Sequence, residues 1–202
     1  MDKLAEALAT LLADRELTNP LARVLACASL KGSVSYTEVE NLAGDDLDEA
    51  LLLAYEWRLI IPTRTAKSGA WEDRLLLCKP GESYQVPNIV RCLAEEASKT
   101  GCWDPEHAIT KLFKEMGEPG WQRIPKLVGE LGEQAQGYQI SATQIRQVCI
   151  GLDLGDRVDV LIAELKSSGI MSPKLSSLAE VIREGAPLYE LNPSILYEGG
   201  LS

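Results

Sequence analysis

The sequence predicts a mainly α fold with small β-hairpins, an α+β class, in which one structural unit is used twice. Three observations predict it. First, residues 34–62, VSYTEVENLAGDDLDEALLLAYEWRLIIP, return in altered form at residues 140–173. Val34-Ser35 matches Ile140-Ser141, Thr37-Glu38-Val39 matches Thr143-Gln144-Ile145, and Leu42 matches Val148 at one offset. Four extra residues then enter the turn, after which Leu51-Leu52 matches Leu161-Ile162 and Ile60-Ile61 matches Ile170-Met171. Second, both copies open with Ser-x-x-Glu/Gln (Ser35 with Glu38, Ser141 with Gln144), the capping box that starts a helix by satisfying two backbone amides reciprocally. Third, each copy leaves its longer helix through an apolar pair into a turn-rich segment, the pattern of a helix passing into a hairpin.

Taken in order, residues 3–17 form an amphipathic helix with Leu4, Leu8, Leu11 and Leu12 on one stripe. That stripe either packs on the first unit or meets a partner. Asn19-Pro20 divides it from a helix at residues 21–30, closed by Lys31-Gly32, because proline suits a first turn and glycine a C-terminus. Val34 supplies a short strand, residues 36–43 a second helix, Gly44-Asp45 a turn and residues 47–59 a third helix. Ile60, Ile61 and Thr63 are extended, residues 66–69 are a polar tip, and residues 74–78 return as the second strand of a hairpin. Residues 84–87 read as a link. Helices follow at residues 88–98 and 104–116, the latter announced by Asp104-Pro105. The second unit places helices at residues 124–135, 141–150 and 156–168, a longer excursion at 172–184 with a helical turn over 176–183, and a returning strand at 187–192. The organisation expected is an N-terminal helix (1–20), a first domain (21–87), a helical connector (88–123) and a second domain (124–202).

Composition narrows the function classes. No window approaches the roughly 18 uninterrupted apolar residues of a membrane helix, and the acidic start (Asp2, Glu6, Asp14, Glu16) is unlike a signal peptide. A cytoplasmic protein with no membrane association is expected. Cys27, Cys78, Cys92, Cys102 and Cys149 are odd in number and scattered, with no C-x-x-C pair and His107 as the lone histidine, so neither a metal site nor a disulfide framework is expected. The glycines fall singly, without a phosphate-binding loop, and no nucleophile–histidine constellation is evident. A non-enzyme without cofactors is expected.

The order of elements in both copies, a short strand, a capped helix, a turn, a longer helix and a hairpin, resembles the winged-helix superfamily over residues 21–82 and 124–192. The resemblance implies two winged-helix domains and a non-catalytic binding module in transcription, chromosome organisation or a larger assembly. In layout the chain is similar to a bacterial segregation and condensation family whose members are acidic proteins with tandem winged helices.

Charge separates the candidate partners. The chain carries a net charge of −10 and a pI near 4.7, so a duplex repels it unless its basic residues gather on one face. In helix-turn-helix proteins the second helix of the motif reads base edges near its N-terminus. Here that helix opens with Asp45, Asp46, Asp48 and Glu49, a poor groove reader. The second copy, with Arg146 and Arg157 against Asp153, Asp156 and Asp159, is the better of the two. The first wing is net positive through Arg64, Lys67, Arg74 and Lys79, with Trp71 at its tip, and is a candidate contact to phosphates. Protein contacts are indicated by residues 50–55, six consecutive apolar residues followed by Trp57, which cover the whole circumference of a helix. Leu51, Leu52, Leu53, Tyr55 and Trp57 are the candidate interface. The leading expectation is a protein-interaction module, with self-association or a protein partner. The alternative is a DNA-binding regulator using the basic wing and the Arg146/Arg157 region. A third class is a regulator sensing a small molecule between the halves.

Overall fold

A computed structural model describes residues 2–64, 68–175 and 185–196. The chain is mainly helical with two small antiparallel sheets. α1 (Lys3–Leu11) starts where the Asp2 side chain accepts from the Leu4 amide. It ends earlier than its leucine pattern suggests: Leu12 is extended, and the Asp14 carboxylate accepts from the Glu16 amide to form a local turn. The stripe of Leu4, Leu8 and Leu11 is buried within this chain, as α1 packs on α2 (Thr18–Lys31) and α5 (Asn88–Thr100). The apolar face of α1 is thereby committed to its own fold and is withdrawn as a partner surface.

Gly32, at φ +83°, closes α2 and turns the chain into β1 (Ser33–Ser35). α3 (Tyr36–Ala43) then begins with the capping box read from the sequence: Ser35 Oγ accepts from the Glu38 amide at 3.3 Å, and Glu38 accepts from the Ser35 amide at 2.8 Å. A 3-10 turn leads to α4 (Leu47–Glu56) and β2 (Ile61–Pro62). Beyond α5 come α6 (Pro105–Glu115) and α7 (Ile124–Gln134), which carry the packing from the first sheet towards the second. β4 (Gln139–Ser141), α8 (Ala142–Gly151), α9 (Val158–Ser168), β5 (Met171–Pro173) and β6 (Leu188–Leu191) complete the chain. The second capping box is present too, with Ser141 and Gln144 at 3.3 and 2.9 Å.

The two sheets share one topology. β1 and β2 flank β3 (Ser83–Gln85), and β4 and β5 flank β6, all antiparallel. This corrects the expected first hairpin. The strand that pairs with β2 is not residues 74–78 but β3, with Pro62 opposite Tyr84. The apolar run Leu75-Leu76-Leu77 has the composition of a strand, yet Leu75 is exposed and the run makes no ladder. The alternation that pairs is Ser83-Tyr84-Gln85, with Tyr84 fully buried between half-buried neighbours. Tyr84 Oη donates to the Leu77 carbonyl at 2.6 Å and so ties the non-pairing run to the sheet. The predicted helical turn at 176–183 lies outside the described residues.

One continuous apolar core runs through both halves. Where they meet, Gly169 closes α9 at φ +78°, and a Cβ there would fall 2.5 Å from Pro87 Cβ. Only glycine meets both the left-handed backbone and the close approach. The Asn88 side-chain amide donates to the Ser167 carbonyl at 3.1 Å beside it.

Candidate functional site

The sequence-predicted contact residues disperse into four environments. α4 is the first. Its acids Asp45, Asp46, Asp48 and Glu49 are all exposed at or before its first turn, where carboxylates complement the helix dipole. Its apolar run is not buried all round: Leu47, Ala50, Leu51 and Ala54 face the core, Leu53, Tyr55 and Trp57 are half-buried, and Leu52 is 51% exposed. Within this chain α4 is therefore buried mainly on one side, and Leu52 is left on the exposed side.

The second environment joins the halves around Arg58. Its guanidinium donates from Nε to Glu190 Oε1 at 2.9 Å and from Nη1 to the Tyr55 carbonyl at 2.7 Å, and lies 4.5 Å from the centroid of the Tyr55 ring. Arg58 is held at φ +52°, an uncommon conformation for a residue with a Cβ. Its carbonyl accepts from Asn192 Nδ2 at 3.3 Å, and the same amide donates to the Gly169 carbonyl at 3.2 Å. Tyr55 Oη is placed 3.1 Å from the carbonyls of Trp71 and Arg74. Tyr55 therefore braces this junction, and its hydroxyl is not offered to a partner.

The first wing is the third. Trp71 is 5% exposed, not a tip residue, and its backbone amide donates to Ser172 Oγ of β5 at 3.1 Å. Its large ring stabilises the chain more when packed between the halves than when left in water. Arg64 is exposed and paired with Glu82 at 2.9 Å. Arg74 is half-buried and donates from Nη1 to the Pro62 carbonyl at 3.1 Å, while its Nε is buried without a partner. Burial lowers its pKa from the ordinary arginine value. Lys67 lies outside the described residues.

The fourth surrounds Arg157, at the start of α9. It is bound to Glu118, whose carboxylate is wholly buried, by Nη1 to Oε1 and by Nη2 to Oε2 at 2.8 Å. Burial pushes the Glu118 carboxyl up, but the bonds from Arg157 and from the Gly120 amide (3.0 Å) outweigh it and hold it below the usual carboxylate range. Glu164, on the following turns of α9, goes the other way. Burial first, and the neighbouring Glu118 carboxylate second, push it up to about 7. Arg157 is therefore committed to an internal carboxylate, whereas Arg146 on α8 stays exposed with a 4.0 Å approach to Asp159.

Sequence reasoning missed two features. Leu30 is 87% exposed at the end of α2, over a concavity of about 600 Å³ between α2, α5 and α6. A second concavity, of about 630 Å³, lies between the halves and is lined by Arg74, Arg91 and Lys166. Their wide separation in sequence gave no signal that they would meet. His107 is exposed on α6, 3.9 Å from Glu96. Among the described residues no group of three or more His, Cys, Asp and Glu side chains could hold a metal ion, and no helix is long and apolar enough to cross a membrane.

No curated protein and no solved structure matches the chain. A protein-family model does match, over residues 2–199, and since that is nearly the whole sequence, the chain belongs to the family that this model describes.

Proposed function

We propose that the protein is a non-catalytic tandem winged-helix module that mediates protein–protein interaction in a transcription or chromosome-associated assembly. In this reading α2, α3 and α4 with β1–β3 form the first winged-helix unit, and α7, α8 and α9 with β4–β6 the second. The shared strand order of the two sheets and the paired capping boxes support the repeat. The observation that carries the protein-binding reading is the state of the basic residues. Arg157 is bound to buried Glu118, Arg64 to Glu82, and Arg74 is half-buried, while the helix that would enter a groove presents Asp45, Asp46, Asp48 and Glu49. Four carboxylates approaching phosphates repel them, and pulling Arg157 away from Glu118 would strand a buried charge.

Exposed apolar side chains on the same units, Leu52 on α4 and Ile150 and Val160 on α8 and α9, are the contacts a protein partner or a second copy would cover. A titration of fluorescent duplex fragments at about 50 mM and 200 mM salt, with light scattering on the same sample, tests the reading. Absence of duplex binding at both salts, together with a stable oligomer or a recruited protein, is the expected result. Tight binding that falls steeply with salt would overturn it in favour of a DNA-binding regulator.

A further inference from the structure

The cleft between the halves collects cations in a protein that is acidic overall. Arg74 reaches it from the segment after the first sheet's β2, Arg91 from α5 and Lys166 from α9. None of the three makes an ion pair with a described residue, and no carboxylate is among the described residues that line the cleft. Arg91 donates from Nε to the Ser29 carbonyl at 3.0 Å, and Arg74 from Nη1 to the Pro62 carbonyl, so both side chains are held in place by neutral partners with their charge uncompensated. The Nε of Arg74 is itself buried without a partner. Three like charges lining one cleft repel each other, and a net charge of −10 on the whole chain leaves this concentration unexplained by composition.

We propose that this cleft binds a phosphorylated small molecule of mononucleotide size. Three positive charges match a phosphate or pyrophosphate group, and arginine is suited to phosphate oxygens by its planar array of donors. The volume, about 630 Å³, lies within the range of small-molecule sites. Trp71, Ile61 and Met171, all buried, close the floor of the cleft. The start of α5 borders the same space at Pro87 and Asn88, and no side chain caps it, so its dipole adds to a field the three side chains already set. Because Arg74 belongs to the first half and Lys166 to the second, an occupant would bridge the halves. The proposal stands independently of the partner reading above.

Isothermal titration of the full chain with inorganic phosphate, pyrophosphate and a panel of nucleoside mono- and diphosphates, at about 50 mM salt, tests it. Lys166→Glu is the informative variant, because the Lys166 ammonium makes no hydrogen bond or ion pair with a described residue that its loss would disrupt. Arg91→Gln, checked for folding by its thermal transition, is the second. Binding by at least one phosphorylated compound, weakened roughly tenfold or more by Lys166→Glu, is expected from the loss of one charge-assisted contact. Absence of binding across the panel, or binding that neither variant changes, would overturn the proposal. Binding of duplex DNA alone, lost in Lys166→Glu, would also overturn it and assign the cations to a nucleic-acid backbone.

Discussion

Replacing Glu164 with glutamine should make the protein more stable above neutral pH and leave it unchanged below about pH 4.5. In the folded chain this carboxyl is pushed up to about 7, from an ordinary value of 4.5, by burial and by the Glu118 carboxylate. A group whose folded pKa is raised contributes stability that is fully present below its unfolded value. That contribution disappears as pH rises through the folded value. The window is therefore about pH 4.5 to 7. One unit of pKa corresponds to about 1.36 kcal/mol, which sets a ceiling of about 3 kcal/mol. Solvent screening at this half-buried side chain reduces it to about 1–2 kcal/mol. Glutamine keeps the shape and an N–H that can donate to Glu118, but never acquires the second negative charge beside it. Urea unfolding of both proteins at pH 5 and pH 8 reads the difference directly. Wild type should lose about 1–2 kcal/mol relative to Glu164→Gln on going to pH 8. A difference that is the same at both pH values, or wild type gaining on the variant, would refute the reasoning.

Other consequences are tested separately. Ser35→Ala and Ser141→Ala each remove a side-chain acceptor from a helix start and should lower stability by about 1 kcal/mol, measured by denaturant midpoint. Arg58→Ala leaves Glu190 without its partner at the junction of the halves and should cost about 2–3 kcal/mol, and the strain at φ +52° remains because alanine keeps a Cβ. If duplex binding is absent because of the acidic start of α4, Asp45→Lys with Asp48→Lys should introduce weak, salt-sensitive, non-specific binding in the fluorescence titration. Loss of a sequence-specific complex in that variant would instead contradict the protein-partner reading.

Much of the helical scaffold was legible because its signals are local. Ser35-x-x-Glu38 and Ser141-x-x-Gln144 bond within one turn, and α3 occupies the residues its pattern indicated. The same reading misplaced the central strand of the first sheet. Tyr84 is chosen over Leu75-Leu76-Leu77 by what it packs against on both sides, and no short window contains those neighbours. Candidate contacts fared similarly. A count of Arg64 and Arg157 as free cations overlooks Glu82 and Glu118, and Glu118 stands 39 residues from the arginine it neutralises. Conversely, the sequence offers Arg74 only as a contact of the wing and gives no signal that it meets Arg91 and Lys166, with which it lines a cationic cleft once the halves are joined.

Gly169→Ala probes that joining. The new methyl would stand 2.5 Å from Pro87 Cβ and 3.2 Å from Pro87 Cα, on a backbone at φ +78°. Left-handed strain contributes about 1–2 kcal/mol, and displacing a proline that begins α5 adds a comparable amount, for a total of about 3 kcal/mol. The proline cannot yield alone, because Asn88 beside it is bonded to the Ser167 carbonyl and Arg91, one turn on, donates its amide to the Pro87 carbonyl. The loss should therefore appear in the global unfolding transition of both halves at once. Separate transitions for the two halves in wild type, or a variant as stable as wild type, would show that Pro87 and Gly169 do not fix the halves together.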